Sequence, residues 1–397
     1  MNNIKLQQDL CNVIRQAIDQ KDIMGANLLI TKDDKEIAYC QEGKANAEQK
    51  RPIQRDTIFR LYSMTKPITA TATMILMERG ELELYQPVSD FLPAFAKQKV
   101  YQNGKLVSPQ RPMMIHDLLD MSSGLSYPDD ATEAGRAVGK IYEEMCQKLG
   151  QPNAITTIEF ANRLAESPLL FTPGSSWQYG TSADVLAAVI EVASGKKFSQ
   201  FLQEELFTPL DMKDTAFYVP EKKQHRLAAT YETVLDSAGN PKMIRYTGTN
   251  LAISNEMKQP PAYEAGGAGL ASTLDDYLKF AHMLQHQGTA NGQQILHKRT
   301  IEYLISSKQS PTQMKAFHQW IGADGYTYGN LMQRCIAPEE HRNLCTYGEY
   351  GWDGWLGMYF VNLPKENITL LIGMQKKDAG IFTLTRKLRN VCFSYLL

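Results

Sequence analysis

The sequence predicts an α+β fold: one antiparallel sheet assembled from both ends of the chain, flanked by N- and C-terminal helices, with a mostly helical lobe inserted between. Three observations predict it. Strand-like runs lie near the start, at residues 26–31 and 36–41, and again near the end, at 326–333, 357–362 and 368–374. Helical patterns and long polar connections fill 81–269. Amphipathic helices open and close the chain, and such a pattern is buried most economically in two packed layers.

Each element has a local cause. Ile4, Leu10, Val13, Ile14, Ala17 and Ile18 form an apolar stripe of helical period, whose polar face is not basic. The two early strands meet across Lys32-Asp33-Asp34-Lys35, a polar turn. Residues 57–61 are extended and feed Ser63, read as the N-cap of a helix running to about Arg79, with Gly80 beyond its end. Pro67 is tolerated in its first turn, where N–H groups lack intrahelical partners. Helices follow at 113–121, 132–148 (ended by Gly150), 182–194 and 198–206, and Thr156 with Glu159 marks a capping box. A loop-rich stretch with Pro241, Pro260 and Pro261, from about 218 to 263, is expected to line a cleft. Helices at 273–286 and 298–307 precede the late strands, and 382–395 closes the chain as a helix. Residues 1–80 and 270–397 thus read as a sheet lobe, and 81–269 as a helical lobe, interlocked around an active site between them.

With 43% apolar and 21% charged residues among 397, the composition is that of a globular protein. A net charge of -1 offers no basic face, which excludes nucleic acid as a partner. No apolar run reaches the ~18 residues of a membrane span. The N-terminus lacks the apolar core of a signal peptide, so the expected location is cytoplasmic, or exported if a leader has been removed. Six cysteines lie scattered without Cys-x-x-Cys spacing, which argues against zinc and suits a reducing compartment; Cys335 and Cys345 could pair only in an exported protein. His282 and His286 have a metal-like i, i+4 spacing but no intervening Glu and no third ligand. No metal or cofactor is expected.

The chemistry centres on Ser63-Met64-Thr65-Lys66. An amine three residues along a helix shares a face with the hydroxyl, and a helix N-terminus supplies free N–H groups and partial positive charge. A second copy of the spacing, Ser194-Gly195-Lys196-Lys197, lies at a helix C-terminus, where the lone carbonyls would repel an oxyanion. Tyr179 stands on a loop just before the helix at Ser182, as a proton shuttle or as a packed ring. Trp352 and Trp355 flank Asp353 and Gly354, lining an acyl pocket or filling the core; glycine there lets a ligand approach a strand. Gly266-Gly267-Ala268-Gly269 follows no strand and reads as a tight turn, not a phosphate loop.

In this order these stretches resemble the serine β-lactamase and penicillin-binding superfamily, whose Ser-x-x-Lys is a nucleophile motif. The likeness extends to class C β-lactamases, to a fungal statin acyltransferase and, more closely, to the family VIII carboxylesterases. Ile115-His116-Asp117-Leu118-Leu119, Ser123-Gly124-Leu125, Phe171-Thr172-Pro173-Gly174 and Ala265-Gly266-Gly267 look like its landmarks. The resemblance implies a β-lactamase/transpeptidase-like fold, with Ser63 the acylated nucleophile, Lys66 its proton acceptor and Tyr179 the catalytic Tyr. It also implies an oxyanion hole from the N–H groups of Ser63 and Trp355, with Trp352 and Gly354 at the substrate and Asp184 and Asp353 in support. Two departures matter. Thr181 stands where β-lactamases usually carry Asn, and Trp352-Asp353-Gly354 replaces a motif beginning with Lys or His. A cation there would pair with a substrate carboxylate, so the expected substrate is a small neutral ester hydrolysed through an acyl-enzyme. Rival readings are acyl transfer, D-amino-acid peptidase or DD-carboxypeptidase or weak β-lactamase activity, and a catalytically silent binding protein of the same fold. The oligomeric state is left open.

Overall fold

The computed structural model describes residues 3–306, 309–320, 322–380 and 383–397. Ser307 and Phe382, which close and open two expected helices, lie outside them. The main sheet has eight strands: β1 Gly25–Lys32, β2 Lys35–Asn46, β3 Arg51–Pro52, β4 Tyr326–Gly329, β5 Met332–Cys335, β6 Tyr350–Asp353, β7 Tyr359–Leu363 and β8 Ile368–Met374. Their order is β4-β5-β6-β7-β8-β1-β2-β3, antiparallel throughout, so the chain ends join where β8 pairs with β1. The expected α+β architecture is the observed one.

Both faces of the central strands are covered, and the side chains sort by the two-residue period. Ala26, Leu28 and Ile30 of β1 and Ile368, Leu370 and Ile372 of β8 face α1 (Asn3–Asp19) and the C-terminal helix. Leu29 and Leu371 face the other layer. That layer includes α2 (Lys66–Glu78), buried from Lys66 to Leu76, and the helices α3 (Ser182–Ser194) and α4 (Leu274–Gln285). The C-terminal helix, α5, runs Thr383–Leu396. Gly195 at the end of α3 takes φ +67°, the left-handed turn expected of a C-terminal glycine.

Several local expectations are corrected. Ile4 is 73% exposed, and Leu6 takes its place in the α1 stripe. Residues 326–333 are two strands, because Asn330 and Leu331 take positive φ and turn the chain back. The loop-rich stretch holds a hairpin, Tyr231–Leu235 with Pro241–Arg245. A helix at Pro311–Phe317 was not anticipated. Cys11 and Cys40 form a disulfide joining α1 to β2, which the scattered spacing concealed. The Cys335 and Cys345 sulfurs lie 3.8 Å apart, unbonded. His282 bonds Thr31 and His286 bonds Asp34, each tying α4 to the β1–β2 end. Among the described residues no helix is long and apolar enough to cross a membrane.

Candidate active site

The turn that carries Ser63 is built by backbone. Phe59–Arg60 pairs with Ala271–Ser272, and a single 3-10 turn, Tyr62–Thr65, follows before α2. Ser63 is therefore inside a 3-10 turn and not the N-cap; that position is Thr65, which makes no side-chain cap bond. The turn tightens because the Lys66 N–H donates to the Ser63 carbonyl. In 3-10 geometry residues i and i+3 eclipse, which stacks the Lys66 and Ser63 side chains. Tyr62 pays with φ +45°, a sparsely populated conformation for a ring-bearing residue.

Lys66 is fully buried, and its ammonium has three acceptors: Ser63 Oγ at 3.2 Å, Tyr127 OH at 3.1 Å and the Gly267 carbonyl at 2.8 Å. It also lies 4.6 Å from the centre of the Tyr179 ring. Burial brings its pKa down to about 8, against the opposing pull of Asp184 and Asp353. An amine with that value can accept a proton near neutral pH. Burial pushes the Tyr179 and Tyr127 phenols up, so both hold their protons.

Tyr179 sits on the loop that enters α3. Gly180 lets this loop close on residues 123–126, since a Cβ there would lie 2.2 Å from the Leu125 carbonyl oxygen. Ser123 and Ser182 hydroxyls bond across the same contact at 2.8 Å. The Tyr179 hydroxyl accepts from Trp352 Nε1 at 3.0 Å, and Ser63 and Trp352 both act to lower its pKa against the larger effect of burial. Trp352, on β6, is 2% exposed, so it is a core ring that also holds the phenol.

Gly354 brings the end of β6 against the turn that carries Ser63; a Cβ there would lie 2.2 Å from the Leu61 carbonyl oxygen. The Trp355 ring then packs edge-on against Tyr62 at 4.9 Å, and its indole donates to Asp378 at 2.7 Å. The Gly354 and Gly357 N–H groups bond within this turn, whereas the Trp355 N–H has no loop or turn carbonyl partner among the described residues.

The two carboxylates lie behind the amine. Asp184 accepts from the Tyr263 hydroxyl at 2.8 Å and the Gly267 N–H at 2.9 Å. Burial raises its pKa, and that of Asp353 to about 6. The 265–269 segment is a tight turn, as expected, with Ala268 and Gly269 N–H groups on the Ala265 carbonyl. It also hands the Gly267 carbonyl to Lys66, a contact sequence reasoning missed. Tyr127 was missed as well. Its only signal was position, two residues beyond Ser123-Gly124-Leu125. The second Ser-x-x-Lys shows no such contact among the described residues: Ser194 donates to the Ile190 carbonyl, and no bond joins it to Lys197. A cavity of about 640 Å³ lies elsewhere, lined by Phe217, Met257 and Tyr263 among others, and none of Ser63, Lys66 and Tyr179 borders it. The candidate site is therefore marked by contacts between Ser63, Lys66 and their partners, not by cavity size.

The beta-lactamase family model matches residues 10–388. Esterase EstB of Burkholderia gladioli is 33% identical over 284 residues, 67% of either chain. The structure of EstCE1, described as a hydrolase with promiscuous acyltransferase activity, superposes with a TM-score of 0.82 at 26% identity, covering 98% of this chain and 99% of that one. Unliganded simvastatin synthase from Aspergillus terreus, at 20% identity and a TM-score of 0.78 over 100% of this chain and 99% of that one, shares the fold.

Proposed function

The chain belongs to the beta-lactamase family, and within it we propose a serine carboxylesterase acting on small neutral esters through an acyl-Ser63 intermediate. The observation that carries this reading is the buried Lys66 amine, 3.2 Å from Ser63 Oγ and 4.6 Å from the centre of the Tyr179 ring. Neutral Lys66 takes the Ser63 proton as Oγ attacks the ester carbonyl. The N–H groups of Ser63 and Trp355 receive the oxyanion. Tyr179, kept protonated by burial, gives its proton to the leaving alcohol and is reprotonated from Lys66. Water then follows the reverse route to release the acid. Trp352, where related β-lactamases place a cation, supports neutral esters over carboxylate-bearing β-lactams or peptides. Asp353 beside it disfavours an anion further.

Acyl transfer to an alcohol is the second reading, supported by the likeness to EstCE1 and to an acyltransferase, the 24% identical monacolin J acid methylbutanoyltransferase of Aspergillus terreus. The same reading takes 1–80 with 270–397 as one lobe and 81–269 as the other. Four unpaired cysteines support a cytoplasmic location, against which stands the Cys11–Cys40 bond. Thiol alkylation in freshly lysed cells tests it: all six sulfurs labelled supports the cytoplasm, and four labelled opposes it.

The direct test is turnover of p-nitrophenyl butyrate. Ser63→Ala should abolish it and Lys66→Ala should lower it at least about 100-fold. Intact turnover in Ser63→Ala ends the proposal.

A further inference from the structure

Trp320 is an exposed ring beside the reacting groups. It is 41% exposed, whereas Trp177 and Trp352, on which it leans, are 4% and 2% exposed. It meets Tyr179 edge-on at 4.8 Å and Trp177 at 5.3 Å, and lies alongside Trp352 at 6.5 Å. Of the rings packed around Tyr179, it is the most exposed. An exposed aromatic ring beside reacting groups is apolar surface that a ligand can cover.

The position of Tyr179 says which half of the ester that is. A leaving oxygen must come within about 3 Å of the hydroxyl that protonates it. With the oxygen there, an alcohol larger than a few carbons has to extend along the rings around Tyr179, of which Trp320 is the most exposed. Trp355, at the oxyanion side, packs with a separate pair, Tyr62 and Tyr246.

Resting on the acyl-Ser63 reading, we propose that Trp320 is the shelf for the alcohol half of the reaction, selecting esters of aromatic alcohols and, by microscopic reversibility, aromatic alcohols as acyl acceptors. In the transfer direction the acceptor oxygen attacks the acyl carbon, and its proton passes to neutral Lys66 directly or through Tyr179. The tetrahedral intermediate then expels Ser63 Oγ, which takes the proton back, so a new ester bond replaces the one to Ser63.

The test supplies p-nitrophenyl butyrate with benzyl alcohol or ethanol at equal concentration and measures benzyl butyrate or ethyl butyrate against butyrate. Every product leaves one butyryl-enzyme, so differences in acylation cancel. Wild type should favour benzyl alcohol roughly tenfold. Trp320→Ala should lose that preference, and Trp320→Phe should keep part of it. A merely structural loss would lower all products together and leave the ratio unmoved. The proposal is overturned if wild type shows no preference, or if Trp320→Ala retains it. Should Trp320→Ala fail to fold, Trp320→Leu and Trp320→Phe decide by the same ratio, and equal preference in both overturns it. Absence of a butyryl adduct on Ser63 by intact mass is a separate result that removes the acyl-enzyme reading itself.

Discussion

At the scale of single residues, activity turns on a lysine whose pKa burial lowers far enough that its neutral amine is present near neutral pH. Because only the neutral amine can accept the Ser63 proton, kcat/KM should rise with pH on a limb of apparent pKa near 8. Asp353 raises the Lys66 pKa, so Asp353→Asn should move that limb to lower pH, which a pH–rate profile measures directly. A limb that stays put would show that Asp353 does not share the field of Lys66. Tyr127 accepts from the same amine, and Tyr127→Phe should lower kcat about tenfold with KM little changed. Ser63, Lys66, Tyr179 and Trp352, the residues of the proposed site, could be singled out in the sequence because each announces itself locally: a three-residue spacing, a loop before a helix start, a glycine-rich strand end. Tyr127 and the Gly267 carbonyl were not, since each reaches Lys66 across 61 and 201 residues of chain and carries no pattern of its own.

Elements place these groups by close backbone approach. β6 can deliver Trp355 to the nucleophile turn only because residue 354 has no side chain. Gly354→Ala should therefore separate the two, lowering kcat at least about 100-fold while far-UV circular dichroism keeps its wild-type shape. An unchanged kcat would mean that the turn yields without moving the reacting atoms. The β1–β2 turn was legible because Asp33 and Asp34 tolerate the positive φ that such turns need. The hairpin Tyr231–Leu235 with Pro241–Arg245 was not. Its strands are polar, partly exposed and start one partner with Pro, so no two-residue hydrophobic alternation betrays it. The 3-10 turn at Ser63 escaped for another reason: an N-cap and a 3-10 entry before an α-helix carry no residue pattern that separates them.

For the whole molecule, the chain ends complete the sheet that carries the site. Arg389 of α5 is buried against Glu349, which stands immediately before β6, and also bonds the Tyr359 hydroxyl on β7. Removing one partner strands the other charge in the interior. Arg389→Ala should cost about 3–5 kcal/mol in urea unfolding, an amount that approaches the total stability of many domains. A loss under about 1 kcal/mol would show that water reaches the pair. Fold class was readable because strand patterns at both termini leave few ways to share one sheet. The pairing of Cys11 with Cys40 was not, because it depends on how α1 docks on β2. The measurement closest to the central claim is peptide mass spectrometry of enzyme quenched during turnover of p-nitrophenyl butyrate. The account predicts one butyryl group, on the Ser63 hydroxyl, absent from Ser63→Ala. Turnover without that adduct, or with the butyryl group on another residue, would contradict it.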